Sequence, residues 1–174
     1  RDPDHEGEER GCRGDDENTA RTHDHAAEDV AREVVAADFA QMAAKGINSI
    51  RTYTPPPRWF LDIAWQQGLF VMAGLPWEQH VAFLDNRKTA RDIESRLRAM
   101  IRKIAGHPAL LCYVIGNEIP ASIVRWHGRK KVERFLERLY IAAKEEDRDV
   151  PATYVNYPTT EYLQLPFLDF GCYN

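Results

Sequence analysis

Two apolar runs of strand length constrain the fold of this chain more than any other feature of its sequence. They are residues 69–75, Leu-Phe-Val-Met-Ala-Gly-Leu, and residues 110–115, Leu-Leu-Cys-Tyr-Val-Ile. Neither run alternates apolar with polar residues, as a strand with one face in water would. Strands that are apolar on both sides occur in parallel sheets whose two faces are covered. The runs therefore predict a parallel sheet packed against helices.

Amphipathic segments separate these strands. Helical spacing of apolar residues predicts helices before Gly46, before Gly68, across residues 93–104 and across residues 132–143. Further strands are predicted at residues 49–53, 153–157 and 167–172. Alternating strands and helices indicate parallel βαβ units. No glycine-rich phosphate loop follows a strand, which makes a dinucleotide-binding sheet less favoured.

Length limits how much of a barrel the chain can form. A complete (β/α)8 barrel takes about 250 residues, and this chain has 174. The predicted fold class is therefore α/β, a partial TIM (β/α)8 barrel with parallel strands that lacks the last strands. Apolar content of 44% and charged content of 29% are typical of a soluble globular domain. The sequence shows no signal peptide, no apolar run of about 20 residues that could span a bilayer, and no basic stripe for nucleic acid.

The first 29 residues differ from the rest in composition. They hold 11 acidic and 4 basic side chains and contain no Leu, Ile, Val, Met or aromatic residue. With so little apolar surface to bury, we expect residues 1–29 to be a disordered acidic tail and residues 30–174 to be the barrel domain. Three histidines in the tail are better explained as solvated residues than as metal ligands. The cysteines Cys12, Cys112 and Cys172 show neither zinc spacing nor a disulfide framework.

Polar and aromatic residues gather at the predicted carboxyl ends of the strands, where the active site of an α/β barrel lies. Aromatic faces can stack on sugar rings, while Asn, Arg and Glu side chains can bond sugar hydroxyls. The residues predicted to bind substrate are Arg51, Tyr53, Trp77, Glu78, His80, Asn156, Tyr157, Tyr173 and Asn174.

Glu118 carries the sharpest catalytic signal, because it follows an apolar strand in the motif Gly116-Asn117-Glu118. A partly desolvated carboxyl group at this place can stay protonated near neutral pH and protonate a leaving glycosidic oxygen. Asn117 would then hold a sugar hydroxyl. The alternative is that Glu118 is an acid at a helix N-terminus, near Pro120. Spacing alone leaves both interpretations open.

The segment from Gly106-His107-Pro108 through Gly116-Asn117-Glu118 resembles the fourth-strand region of the clan of retaining glycoside hydrolases with (β/α)8 barrels, and family 2 is the nearest comparison. Residues 38–53 resemble the helix and second strand of the same group. The resemblance implies that Glu118 is the acid/base, that Asn117 orients the 2-hydroxyl, and that Arg51 supports the nucleophile. It also implies that the five predicted strands are strands two to six.

The same resemblance places the nucleophile Glu at the end of strand seven, outside this chain. The fragment is therefore expected to bind sugar weakly and not to turn over. No cofactor or metal is implied, and the expected partner is an oligo- or polysaccharide.

Three segments resemble a bacterial subgroup in which a hydrolase-like barrel is fused to a processive family 2 glycosyltransferase. They are Pro-Pro-Pro-Arg-Trp, Leu-Pro-Trp-Glu-Gln-His and Tyr-Val-Asn-Tyr-Pro-Thr-Thr-Glu-Tyr. Two alternatives to a hydrolase stay open: a non-hydrolytic glucan-binding or transglycosylating module attached to such a transferase, and an unrelated acid/base enzyme on a similar barrel. Trp126 and His127, in the loop expected after Glu118, would form either a substrate lid or a surface cluster.

Overall fold

Five parallel strands form a curled half-barrel with helices on its outer side. The computed structural model describes residues 15–174, and residues 1–14 of the predicted tail lie outside them. The order of the strands in the sheet follows their order in the chain. The strands are β1 (Ser49–Thr52), β2 (Phe70–Gly74), β3 (Leu110–Asn117), β4 (Ala152–Asn156) and β5 (Cys172–Tyr173). The predicted partial barrel is therefore confirmed.

The helices connect successive strands, as parallel pairing requires. They are α1 (Asp15–Ala44), α2 (Arg58–Gln66), α3 (Arg87–Ile104), α4 (Ala121–His127) and α5 (Arg129–Glu146), and a short 3-10 helix spans Pro158–Thr160. Among the described residues, no helix is long and apolar enough to cross a membrane. That same part of the chain contains no cluster of three metal-ligating side chains.

The main core lies between the sheet and the helices. Helix α3 contributes a fully buried stripe at Ile93, Leu97, Ile101 and Ile104, with the spacing of one helix face. Burying each such side chain stabilises the fold by roughly 1.5–3 kcal/mol. This packing fixes α3 against the sheet and thereby fixes the loop that leads from β2 into it.

A second, smaller apolar cluster covers the concave face of the sheet. Cys112, Val114 and Val155 are buried there, with Met72 and Cys172 packed against them. Strand β3 is therefore buried on both sides, as its unbroken apolar run predicts. Burial raises the pKa of the Cys112 thiol to about 12, which keeps this side chain a neutral part of the packing.

The structure differs from the sequence prediction at two places. Helix α1 begins at Asp15, within the predicted tail, and the assignment of residues 1–29 to a disordered acidic tail stays a prediction. The segment after Glu118 is not a long loop, since it contains α4. The fifth strand is only Cys172–Tyr173, not residues 167–172. In the segment before this strand, the Asp169 N–H donates to the carbonyl of Ala152, and the Asp169 carboxylate accepts from the N–H of Ala152. Residues 167–171 therefore do not pair regularly with β4.

Candidate active site

Glu118 stands at the point where β3 leaves the sheet, in an unusual backbone conformation. Its φ is 50°, in the left-handed region that residues with a Cβ rarely adopt and that costs about 1–2 kcal/mol. The pairing of β3 with β4 shifts register between Val114 and Asn117. The Glu118 N–H then donates to the carbonyl of Val155 at 2.9 Å. Strain of this kind persists where surrounding contacts hold the backbone, and it is frequent at functional sites.

Tyr154 holds the chain immediately after Glu118. Its hydroxyl accepts a hydrogen bond from the backbone N–H of Ile119 at 2.8 Å, and both residues are buried. The tyrosine stands on β4, so the neighbouring strand controls the direction in which β3 ends. Sequence reasoning missed this residue, although a buried tyrosine hydroxyl usually has a partner and was a signal to look for one.

Four side chains at the ends of three strands form one hydrogen-bonded cluster at this rim. Arg51, on β1, donates from Nη2 to Oδ1 of Asn117 and from Nη1 to Oδ1 of Asn174, the latter at 3.4 Å. Asn174 donates through Nδ2 to a carboxylate oxygen of Glu118. Inward side chains of alternate barrel strands share a layer, which explains why residues of β1, of β3 and next to β5 meet. The cluster brings both predicted catalytic residues together with Arg51 and Asn174.

A cleft of about 330 Å³ opens beside the cluster, a size within the range of small-molecule sites. Among the predicted residues, Arg51, Tyr53, Trp77, His80 and Asn117 line it. Glu118 is not among the lining residues and lies half-buried directly beyond Asn117. The Tyr53 side chain is exposed, and the Arg51 guanidinium stands 4.9 Å from its ring centroid. Polar and aromatic groups therefore converge on one opening at the strand ends.

Gln79 is a further lining residue that the sequence analysis did not single out. Its Oε1 accepts from the backbone N–H of Asn117 at 2.9 Å, so the loop after β2 supports the end of β3. Inside the cleft wall, the Nε of Arg51 and the Oγ1 of Thr52 are buried without a hydrogen-bond partner among the described residues. Such groups are uncommon in folded proteins.

Trp77 lines the cleft mainly as part of the core, and Glu78 points away from the opening. Trp77 is 7% exposed, donates to the carbonyl of Ile115 at 2.8 Å, and packs edge-on against Phe83 with 4.8 Å between ring centroids. Because so little of its side chain is exposed, Trp77 mainly closes the core. Glu78 turns outward to Arg96 of α3, whose hydrogen bond holds the pKa of that carboxyl below its usual value.

Asn156 and its neighbours occupy the other side of the rim. Asn156 is buried, and its amide bonds the carbonyl and hydroxyl of Thr160 and the N–H of Tyr157, at distances of 2.7–3.1 Å. These bonds fix the turn after β4 and use the polar groups that a substrate would need. Tyr157 is half-buried, whereas Tyr173 is exposed beside the end of β5. The roles of these three residues in substrate binding stay predictions.

Comparison with known proteins decides the family. Residues 18–171 match the family model described as "Glycosyl hydrolases family 2, TIM barrel domain". The chain belongs to this family. The family 2 resemblance noted in the sequence is thereby confirmed.

Solved structures of the same architecture agree. A β-glucuronidase from Bacteroides uniformis matches with a TM-score of 0.66 and 22% identity, over 82% of this chain and 18% of that one. A β-glucuronidase from Ruminococcus gnavus in complex with D-glucuronic acid matches with a TM-score of 0.61 and 19% identity, over 83% of this chain and 23% of that one. This family 2 barrel segment thus spans about a fifth of those proteins, and the likeness shows a shared fold. No curated protein matches the sequence significantly.

Proposed function

We propose that this segment is part of the catalytic barrel of a retaining glycoside hydrolase in which Glu118 is the acid/base. The observation that supports the proposal is the cluster in which Glu118 is linked through Asn174 to Arg51, and Arg51 to Asn117, at the carboxyl ends of the strands. Family 2 membership adds that this rim belongs to a carbohydrate-active barrel.

In the proposed reaction, the Glu118 carboxyl group gives its proton to the glycosidic oxygen while the bond to the anomeric carbon breaks. A second carboxylate attacks that carbon and forms a glycosyl ester, and Glu118, now a carboxylate, takes a proton from the water that hydrolyses the ester. Asn117 bonds the 2-hydroxyl through the side-chain groups that Arg51 does not use. Arg51 positions the nucleophile by its charge and by the geometry of its planar fork.

The nucleophile is assigned to a part of the barrel outside this chain. Retaining hydrolysis needs two carboxyl groups about 5–5.5 Å apart. Among the described residues, the hydrogen-bonded cluster contains one carboxyl group, that of Glu118. The 174-residue chain is therefore expected to bind sugar weakly and not to turn over. The proposed substrate class is a β-linked glucan or a related polysaccharide, and the names of the matched structures add β-glucuronides to the substrates worth testing.

The presence of a single carboxyl in the cluster also favours a second candidate function. The barrel would then be a non-hydrolytic glucan-binding or transglycosylating module attached to a glycosyltransferase. In that case the 330 Å³ cleft binds glucan, and Glu118 contributes a hydrogen bond instead of a proton. Fold similarity alone does not separate these functions.

The deciding experiment is an aryl β-glycoside assay of the longer protein that contains this barrel. We expect Glu118→Gln to slow turnover of substrates with poor leaving groups by about 10²–10⁴-fold, and to slow cleavage of dinitrophenyl glycosides far less, because such leaving groups need no proton. Glu78→Gln is the matched control, since it removes the same charge from a carboxyl that faces α3. Wild-type activity of Glu118→Gln on poor leaving groups would refute the acid/base assignment. Glucan binding with no turnover by the unmodified protein would favour the second candidate.

A further inference from the structure

A second groove lies on the outer side of the half-barrel, between the N-terminal halves of α3 and α5. We call it the outer groove. Its volume is about 470 Å³. Its lining consists of three apolar residues and five cations and contains no acidic residue: Leu84, Ala90, Phe135, Arg87, Arg91, Lys131, Arg134 and Arg138.

Most of the positive charge in the outer groove is not neutralised by the protein. Arg138 forms an ion pair with Glu94. Within the part of the chain that the structure describes, the other four cations have no carboxylate within salt-bridge distance. Like charges that line one concave surface repel one another and raise the local concentration of anions. The chain as a whole is acidic, with a net charge of −4, so this concentration of cations is a local feature.

An exposed tryptophan is hydrogen-bonded to the residue that follows Leu84 of the groove lining. Trp126 is 70% exposed, and its indole N–H donates to Oδ2 of Asp85 at 2.9 Å. Asp85 follows Leu84 of the groove lining, and the Leu84 N–H is bonded to the ring of His127 at 3.4 Å. Two successive residues of α4, Trp126 and His127, are therefore hydrogen-bonded to Asp85 and Leu84 beside the groove, while most of the indole surface of Trp126 stays exposed. The carboxylate of Asp85 faces Trp126 and His127, and it is not part of the groove lining.

We propose that the outer groove and Trp126 together bind an anionic polysaccharide. A sugar ring stacks on the indole of Trp126, and carboxylate groups of the following sugars bind Arg87, Arg91, Lys131 and Arg134. Guanidinium groups suit carboxylates because their planar forks donate two parallel hydrogen bonds.

Polysaccharide is favoured over nucleic acid for two reasons. The domain belongs to a carbohydrate-active family, and the groove offers one aromatic platform, whereas single-stranded nucleic acid is held by several stacked bases. The proposal does not depend on Glu118, because binding at the outer side of the helices requires no chemistry at the strand ends.

The test measures binding by the 174-residue chain at low and at high salt. The probes are oligogalacturonides, neutral cello-oligosaccharides and a single-stranded DNA oligonucleotide. We expect oligogalacturonide to bind at least about tenfold more tightly than the neutral oligosaccharide, and added salt to remove the difference. DNA that binds as tightly as oligogalacturonide would overturn the choice of ligand class. Equal affinity for charged and neutral sugars would overturn the role of the cations.

Two variants and one matched control locate the site. Arg87→Gln combined with Arg134→Gln should weaken oligogalacturonide binding by about tenfold or more, as should Trp126→Ala. Lys45→Gln combined with Lys103→Gln removes the same charge from exposed positions outside the groove and should change affinity by less than about twofold. Unchanged melting temperatures establish that the variants are folded. Equal weakening in the control, or none in Trp126→Ala, would overturn the assignment.

Discussion

Replacing Gly74 by alanine should destabilise the domain by forcing apart the ends of β1 and β2. A Cβ at this position would lie 2.4 Å from the carbonyl oxygen of Thr52 and 2.7 Å from two backbone atoms of Tyr53. Ordinary contact begins at 3.4 Å, so the strands must separate by about 1 Å. These atoms belong to the backbone, and no side-chain rotation can relieve the clash.

The expected loss is about 2 kcal/mol in the free energy of unfolding. Overpacking costs about 1–3 kcal/mol, and a clash with backbone atoms falls at the upper end of that range. The reduced entropy of the unfolded chain that alanine brings offsets roughly 0.5–1 kcal/mol of that cost, which leaves about 2 kcal/mol. The rearrangement lies next to Arg51 and Tyr53, which line the cleft, so sugar binding should weaken as well.

Gly116→Ala is the matched control, because it makes the same chemical change at the end of the neighbouring strand. A Cβ there would meet side-chain atoms of Tyr154 and Trp77 at 3.2–3.4 Å, which small shifts can accommodate. We expect a change below about 1 kcal/mol. Urea unfolding followed by tryptophan fluorescence measures both variants at constant m value. If Gly74→Ala is not less stable than Gly116→Ala, the close approach of the strands does not constrain this position and the reasoning fails.

Three further outcomes concern buried groups. Tyr154→Phe leaves the buried Ile119 N–H without its acceptor and should cost about 1–3 kcal/mol in urea unfolding, whereas an unchanged midpoint would show that the bond is dispensable. Burial lowers the pKa of His127 below its ordinary 6.5, so the unfolded chain binds the proton first. The contribution of neutral His127 to the free energy of unfolding is therefore complete above pH 6.5, and it is lost as pH falls through the lower pKa of the folded state. A pH series of unfolding should show this loss for wild type and for His80→Gln, and a smaller loss for His127→Gln. Burial also raises the pKa of Cys112, so a thiol reagent should modify the partly exposed Cys172 before Cys112, and equal rates for these two thiols in the folded chain would contradict the packing.

The fold could be predicted well because its signals are local. The unbroken apolar run that became β3 indicated burial on both sides, and it packs against the helices on one side and against Val155 on the other. The short β5 could not be predicted, because residues 167–171 have the composition of a strand. Hydrogen bonds between Asp169 and Ala152 hold this segment in an irregular conformation, and regular pairing begins only at Cys172. Composition likewise gave no sign of the helix over residues 15–29.

The site was predicted in part. Strand-end placement led to Arg51, Asn117, Glu118 and Asn174, which the structure joins in one cluster. The same argument also selected Glu78, which the structure turns outward to Arg96. The sequence shows that Glu78 follows the carboxyl end of a strand. Whether its side chain faces the cleft or the outer helices depends on the conformation of the loop after β2.

By itself, the sequence determined the alternation of helices and strands, the parallel half-barrel and the position of Glu118 at a strand end. These features follow from hydrophobic periodicity, which is encoded within each segment. Only the tertiary structure decided which side chains meet. Arg51 bonds Asn117 from 66 residues away, and Asn174 bonds Glu118 from 56 residues away. Such contacts depend on the curvature and register of the sheet, because these bring alternate strands into one layer, and no pattern within a single segment contains that information.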